Sequence, residues 1–474
     1  MTARPSAQTT AADREALLAL LRPHGQEHLL ACWDRLSPND RIELATQIKS
    51  VDFERLGRLF REEQVSEDWA ALSLRAEGPP AARLRGQNSF APEQARRRGQ
   101  EALEAGRIGL VLVAGGQGTR LGFDRPKGLY PIGPISHASL LQILIEKLVA
   151  VGQRHTVAIP LYLMTSPATQ RETVEFLAAH DRFGQGEADL TVFSQGTMPA
   201  VDAAGGRVLL EAPGRLALSP DGHGGLLAAL AAGGALLDIR RRGIEQLFYI
   251  QVDNPLAAVC DAEFIGYHLL AGSEMSTQVV AKQTPADRVG NVVSIDGRVR
   301  IIEYIDLPPE AGERRLPDGS LKLWAGNIAV HVFDVELLER TAAEGGGLPF
   351  HRAKKKVPYL DDDGRLIEPA KENAIKFEQF IFDLLPAARN PLVVEVDEKT
   401  HFAPLKNKPG EKRDTQEHVR SAMVALHTDW LRRAGADVAH DVPVEISPRF
   451  ALDAAELATR IEPGLNVTSA TYFQ

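Results

Sequence analysis

Val113-Ala-Gly-Gly-Gln-Gly-Thr-Arg-Leu-Gly122, followed closely by Pro126-Lys127-Gly128, gathers the groups that can hold a polyphosphate. Gly115, Gly116 and Gly118 let the backbone approach phosphate oxygens without a Cβ in the way. The N–H groups of these glycines can then converge on those oxygens. Arg120 adds a cation suited to bidentate contact, and Lys127 adds a point charge. A P-loop would need Gly-x-x-x-x-Gly-Lys before Ser or Thr, and no such string occurs. A dinucleotide fingerprint starting at Gly116 would need glycine at position 121, which is Leu121. Taken alone, the glycines also suit a plain tight turn with surface cations. Asp253, in Gln251-Val-Asp-Asn254, ends an apolar run, where open α/β sheets place ligands. One carboxylate can hold Mg²⁺ when phosphate oxygens complete its shell, so Asp253 is the candidate metal ligand. The plainer alternative is a helix cap. Ser219-Pro-Asp-Gly222-His223-Gly-Gly225 is a second glycine-rich loop, whose backbone amides can come against a planar base or a sugar; the plainer alternative is a turn with a surface His.

These loops need a frame. Ile108–Val113 is short, apolar and rich in Ile, Leu and Val, which predicts a strand buried on both faces. Ser139 to Ala150 reads as a helix, Ile159 to Met164 as a strand, and Thr169 to Ala179 as a helix. Leu226 to Arg242 reads as one further helix, leading into the strand Leu247 to Val252. This alternation predicts an α/β fold with a mainly parallel sheet and helices on both faces. Gly290 to Ile302 alternates like a hairpin, an antiparallel addition. Residues 12–104 read as helical, with Ser37-Pro38-Asn39-Asp40 as a helix start and Glu77 to Arg98 as a connection. Leu392 to Val396 reads as a strand and Gln416 to Ala434 as a helix, followed by a mixed segment. The expected division is an N-terminal helical region at 1–104, a catalytic α/β domain at 105–389 and a small α+β domain at 390–474.

Composition narrows the function classes. A net charge of −9 argues against nucleic acid or an acidic membrane as the main partner. Lys354-Lys355-Lys356 reads as a solvated face and does not change that. No apolar run approaches the ~20 residues that cross a bilayer, and the polar start Met1 to Asp13 has no signal-peptide core. Cys32 and Cys260 are the only cysteines, too few for a disulfide framework, so a reducing, cytoplasmic setting is expected. Asn466-Val467-Thr468 is then a chance glycosylation match. No zinc-ligand spacing and no Gly-x-Ser-x-Gly occurs.

The 113–128 segment closely resembles the signature of eukaryotic-type UDP-N-acetylglucosamine pyrophosphorylases. It is less similar to UDP-glucose pyrophosphorylases, which carry Leu at the Gln117 position and lack the Arg. Gly25-Gln26-Glu27-His28-Leu29-Leu30 and Glu445-Ile446-Ser447-Pro448 resemble early and late segments of the same family, so the likeness spans nearly the whole chain. The resemblance implies a GT-A-like nucleotidyltransferase fold that joins UTP to N-acetylglucosamine 1-phosphate with Mg²⁺ and releases pyrophosphate. It implies catalytic roles for Arg120, Lys127 and Lys406, and a uracil-reading role for Gln195. Lys376, in Asn373-Ala-Ile-Lys376-Phe, and Lys406, in Pro404-Leu-Lys406-Asn407, match lysines that meet phosphates. Gly290, Glu303, Tyr304 and Asn327 match positions near the sugar, and Phe380 and Phe382 match aromatics lining its N-acetyl region. His223 departs from the pattern. The family has Asn there, whereas UDP-glucose enzymes have His. A UDP-glucose or broad UDP-sugar pyrophosphorylase is therefore the alternative within the class, and a non-catalytic nucleotide-sugar-binding protein the alternative outside it. The tail after Pro448 is shorter than is usual for the family, and no oligomeric state is implied.

Overall fold

Every residue of Ile108–Val113 except the last is buried, which an apolar strand covered on both faces requires. The computed structural model of the chain describes residues 11–61, 69–86, 88–343 and 347–474. Residues 1–10 of the polar start and Gln87 of the 77–98 connection lie outside the described residues. The described chain forms a ten-stranded central sheet. Its strands are β1 (Ala81–Ala82), β2 (Ile108–Val113), β3 (Leu161–Thr165), β4 (Leu190–Ser194) and β5 (Gln246–Gln251). They continue as β6 (Met275–Ala281), β7 (Asn291–Ile295), β8 (Arg298–Ile302), β9 (Ala325–Asp334) and β10 (Leu392–Glu395). The lateral order is β1-β10-β6-β9-β5-β2-β3-β4, with the β7–β8 hairpin joined to β9 through β7. Neighbours along that order are parallel except at β9, which runs antiparallel to both β6 and β5. The mainly parallel α/β sheet with an antiparallel hairpin is the architecture that the alternating pattern predicts.

Helix ends follow local chemistry. Ser139 accepts the Gln142 N–H and starts Leu140–Arg154, whose apolar side is buried against the sheet. Pro92–Glu104 and Ala262–Leu270 cross at glycines. A Cβ at Gly99 would lie 1.8 Å from the Ala262 carbonyl oxygen, and one at Gly266 would lie 1.7 Å from that of Ala95. The stretch expected as one helix from Leu226 to Arg242 is two, Leu226–Ala232 and Ala235–Arg241. Gly234 takes a left-handed φ of 72° between them, and a glycine pair is a weak helix interior. Leu392–Glu395, placed by sequence at the head of the C-terminal segment, is a strand of the central sheet. Beyond Gln416–Arg433 the chain buries a small cluster of its own, including Val444, Ile446, Leu457 and Val467.

By its contacts the chain divides into two units, each discontinuous in sequence. One comprises Met1–Asp68, Gly196–Gly225 and Leu348–Ile381; the other comprises Trp69–Gln195, Leu226–Gly347 and Phe382–Gln474 and carries the central sheet. In the first unit, Ser37 caps Pro38–Ser50 by accepting the Asp40 N–H at 3.2 Å. Leu44 and Ile48 of that helix are buried with Val201, Val208, Ile375 and Phe377, which the later segments supply. The N-terminal helices therefore cover strands far away in sequence, a contact that no local pattern encodes. Among the described residues no helix is long and apolar enough to cross a membrane.

Candidate active site

In the sheet-bearing unit, β2 and β5 are parallel neighbours, with Val113 opposite Gln251. Their carboxyl ends therefore release the glycine loop and Asp253 side by side, the position where such sheets bind ligands. The loop is pinned at its flanks: Ala114 N–H donates to the Met164 carbonyl at 2.8 Å, and Lys127 N–H to the Gly116 carbonyl at 3.0 Å. Ser166, which sequence reading did not single out, donates its hydroxyl to the Gly115 carbonyl at 2.8 Å. Between these anchors the N–H groups of Gly115, Gly116 and Gln117 have no acceptor among the described residues. Donors left open at such a turn can hold an anion. Gln195 is buried beside them, its Oε1 3.1 Å from where a Cβ on Gly115 would stand. One amide that can both donate and accept thus lies against the glycine loop.

Lys127 sends its Nζ to Asp253 Oδ2 at 3.3 Å, and only about a sixth of each side chain is exposed. Burial opposes ionisation of Asp253, but Lys127 and then Lys406 hold its carboxyl below the usual aspartate range. Leu405 N–H donates to the Asp253 carbonyl at 2.8 Å, which ties the Lys406 segment to this strand end. Asp253, Lys127 and Lys406, distant in sequence, form one charged cluster. Among the described residues no group of three or more His, Cys, Asp or Glu could cage a metal. A lone ionised carboxylate nevertheless fits Mg²⁺, which prefers one or two carboxylates with phosphate oxygens and water. Arg120 is exposed and makes no ion pair among the described residues.

Gly290, Glu303 and Asn327 also meet. Asn327 N–H donates to the Gly290 carbonyl at 2.8 Å, and a Cβ on Gly290 would lie 3.1 Å from Glu303 Oε1. Asn327 Oδ1 accepts from Ala329 N–H at 3.0 Å and from Thr277 Oγ1 at 3.4 Å, which fixes its amide. Tyr304 is 45% exposed, so it stands apart from the buried part of this cluster. Behind the cluster, buried Lys282 donates to Asn291 Oδ1 at 2.6 Å, and Asn291 donates on to the Ile302 carbonyl. Neither residue carries a sequence signal that separates it from a strand. Phe382 is buried.

In the other unit, the loop holding Gly222 and His223 folds onto Ala374–Gln379. Gly222 has a φ of 87°, and a Cβ there would lie 2.4 Å from the Gln379 carbonyl oxygen, so only glycine fits. His223 accepts the Ile381 N–H on Nδ1 at 3.2 Å and lies against Phe380, ring centroids 5.4 Å apart. Burial, with some help from neighbouring His351, lowers His223 to about 4, so the imidazole is neutral, with Nδ1 as acceptor and the proton on Nε2. His351, also missed from sequence, lies 4.6 Å from the Phe380 ring. Burial raises Asp221, in the same loop, to about 6. Lys376 is half-buried on its strand, opposite Ala353.

The family described as UTP–glucose-1-phosphate uridylyltransferase matches residues 53–432. The UDP-N-acetylglucosamine pyrophosphorylase of Saccharomyces cerevisiae is 38% identical over 445 residues, covering 90% of this chain and 93% of its own. The human UDP-N-acetylhexosamine pyrophosphorylase-like protein 1 is 37% identical over 446 residues, covering 90% and 87%. The structure of the UDP-N-acetylglucosamine pyrophosphorylase of Trypanosoma brucei, solved with an inhibitor, superposes with a TM-score of 0.82 at 25% identity and covers 98% of this chain and 99% of that one. A family model spanning residues 53–432 and relatives aligned over nine-tenths of the chain converge on one assignment: this chain belongs to the UTP–glucose-1-phosphate uridylyltransferase family, in the group of the UDP-N-acetylglucosamine pyrophosphorylases.

Proposed function

We propose that the protein transfers a uridylyl group from UTP to N-acetylglucosamine 1-phosphate, reversibly, with release of pyrophosphate and with Mg²⁺. The observation that carries this reading is the joining of unpartnered loop amides at Gly115–Gln117 with the Lys127–Asp253–Lys406 cluster at the ends of two adjacent strands. The names of the relatives supply the sugar. A phosphate oxygen of the sugar 1-phosphate attacks the α-phosphorus of UTP in line, the α–β bond breaks, and pyrophosphate leaves. Such a transfer needs positioning and charge stabilisation more than a protein nucleophile.

The loop amides hold phosphate oxygens, and Gln195 meets the imide edge of uracil with one donor and one acceptor. Arg120 and Lys127 stabilise charge on the departing pyrophosphate, Lys406 beside Asp253 offsets repulsion between the reacting phosphates, and the family resemblance assigns Lys376 to phosphate as well. Asp253 would hold Mg²⁺, which supplies charge neutralisation between phosphate groups when bound. Gly290, Glu303 and Asn327 receive sugar hydroxyls with Phe382 in the same unit, and the family resemblance assigns His223 and Phe380 of the other unit to the sugar as well. A broader sugar range is the second reading, favoured by His223 standing where the family has Asn. A cytoplasmic setting is supported by Cys32 and Cys260, both buried and unpaired.

The test is pyrophosphorolysis with Mg²⁺ and excess inorganic pyrophosphate on UDP-N-acetylglucosamine, UDP-N-acetylgalactosamine and UDP-glucose. UTP should form fastest from the first. Formation of no UTP from any of the three overturns the reading, and UDP-glucose in first place replaces it with the second.

A further inference from the structure

One ion pair joins two loops of the sheet-bearing unit, the first ending at Gly290 and the second starting at Lys406. The first loop, residues 282–290, links β6 to β7 and closes at Gly290, whose carbonyl accepts Asn327 N–H. Asp287 organises it. Its Oδ2 accepts Gln283 N–H at 2.7 Å and Thr284 N–H at 3.2 Å, and its Oδ1 accepts the Thr284 hydroxyl at 2.8 Å. The carboxylate side chain is only 12% exposed. Burial opposes its ionisation, but the Thr284, Gln283 and Arg413 donors hold it below the usual aspartate range.

The second loop, residues 406–414, is closed at its base. The Asp414 carbonyl accepts Lys406 N–H at 2.8 Å and Asn407 N–H at 2.9 Å, and the Arg413 carbonyl accepts Asn407 Nδ2 at 2.8 Å. A shift of the Arg413–Asp414 backbone therefore drags Lys406 and Asn407 with it. The Arg413 guanidinium reaches out of this loop, with Nη1 donating to Asp287 Oδ1 at 3.0 Å. Arg413 is 63% exposed, and an ion pair with so exposed a partner adds little to stability. What sets it apart is its acceptor, a buried carboxylate already fixed by three donors of its own loop. Lys406 is thus held from two directions. On one, the Asp253 carbonyl accepts Leu405 N–H; on the other, bonds run through Asp414, Arg413 and Asp287 toward Gly290.

We propose that Arg413 and Asp287 are positioning residues for the transfer. Their pair sets Lys406 relative to Gly290, Glu303 and Asn327, and so relative to the sugar 1-phosphate rather than to UTP. Both act through Lys406 and not on the reacting atoms. The kinetic part of this rests on the proposed uridylyl transfer; the coupling of the two loops does not.

The experiment uses the full chain with Arg413→Ala, Arg413→Lys, Asp287→Asn and the double variant of Arg413→Ala with Asp287→Asn. Hydrogen exchange without ligands reads the coupling. Asp287→Asn should speed exchange at the Lys406 and Asn407 N–H groups, and Arg413→Ala at those of Gln283 and Thr284, by about threefold or more. Melting temperatures should stay within about 3 °C of the parent. In the direction of UDP-sugar synthesis, Arg413→Ala should lower kcat about tenfold and raise KM for N-acetylglucosamine 1-phosphate, with KM for UTP changed by less than about twofold. Arg413→Lys should recover most of the lost turnover, and the double variant should be no slower than the slower single variant. Exchange in each loop that ignores the substitution in the other overturns the coupling. Turnover of Arg413→Ala close to the parent's, losses that multiply in the double variant, no recovery in Arg413→Lys, or a fall in melting temperature that accounts for the lost turnover overturns the positioning role. A rise confined to KM for UTP overturns the sugar-side assignment. A parent that forms no UDP-sugar while the exchange coupling holds counts against the proposed function alone.

Discussion

Replacing Lys127 with Met removes a charge and keeps most of the side-chain volume, which makes it the sharpest probe of the Lys127–Asp253–Lys406 cluster. The Nζ lies 3.3 Å from Asp253 Oδ2, and both side chains are largely screened from water, 17% and 16% exposed. Two unit charges ~4 Å apart interact by about 4 kcal/mol at an effective dielectric of about 20. Desolvation of both groups offsets part of that, and Lys406 still faces Asp253 once Lys127 is gone. The net coupling between Lys127 and Asp253 should therefore be on the order of 1–3 kcal/mol. A double-mutant cycle built from Lys127→Met, Asp253→Asn and the pair, read by denaturant midpoint without ligands, measures it directly. Turnover reports the second duty of the same lysine, since losing one preorganised phosphate donor costs about 10²–10³ in kcat. A coupling below about 0.5 kcal/mol, the noise of additivity, would show that the pair is not an interacting unit. Near-normal turnover in Lys127→Met would show that its charge is not used in the reaction.

Three further outcomes follow from other parts of the molecule. Glu274 is clamped by Arg340, at 2.9 and 2.7 Å, and by Arg389, at 2.7 Å, which holds its carboxyl down at about 2 against an ordinary 4.5. A depressed carboxylate stabilises the fold above its unfolded value and loses that contribution as pH falls from about 4.5 toward 2. Glu274→Gln should thus cost roughly 2–3 kcal/mol at neutral pH and progressively less in acid; a cost equal at pH 7 and pH 3 would refute the clamp. Gly222→Ala forces a side chain into a φ of 87° and toward the Gln379 carbonyl, so it should lower turnover by at least about tenfold through displacement of His223; rates within twofold of the parent would show that the loop tolerates the shift. His223→Asn keeps an acceptor but loses the ring contact with Phe380, worth about 0.5–1.5 kcal/mol, so the ratio of kcat/KM for UDP-N-acetylglucosamine over UDP-glucose should change by about 2–10-fold; an unchanged ratio would remove His223 from sugar selection.

The legible parts of the sequence were those whose chemistry is local. The apolar run at Ile108–Val113, the glycines after it and the Ser37 helix start act within a few residues of themselves, and the fold obeys them. Gly233-Gly234 shows the limit of periodicity, because the apolar spacing continues across a pair whose backbone freedom breaks the helix. What could not be read was register across long gaps. Leu392–Glu395 looks like the head of a terminal segment until its pairing with β6 is known. Ser166, His351 and Asn291 are ordinary residues in sequence and become significant only through partners 51, 29 and 11 positions away.

That same distinction bears on how the Lys127–Asp253–Lys406 cluster is held. The groups that would touch phosphate are announced by glycine and lysine motifs, while the groups that fix them are scattered polar residues making single hydrogen bonds to backbone. Ser166 on the Gly115 carbonyl and Asn254 on the His401 carbonyl are two such groups. A buried side chain bonded to a carbonyl transmits the position of a whole segment, because the carbonyl cannot move without breaking a bond that water does not replace. Lys406 N–H donates to the Asp414 carbonyl at 2.8 Å, and the stretch before it is held by the Asp253 carbonyl accepting Leu405 N–H and by Asn254 accepting Ala403 N–H. The metal-ligand candidate Asp253 and the stretch leading to Lys406 thus share two adjacent residues of one strand end, so a displacement of that end should move both together and change turnover before it changes nucleotide binding.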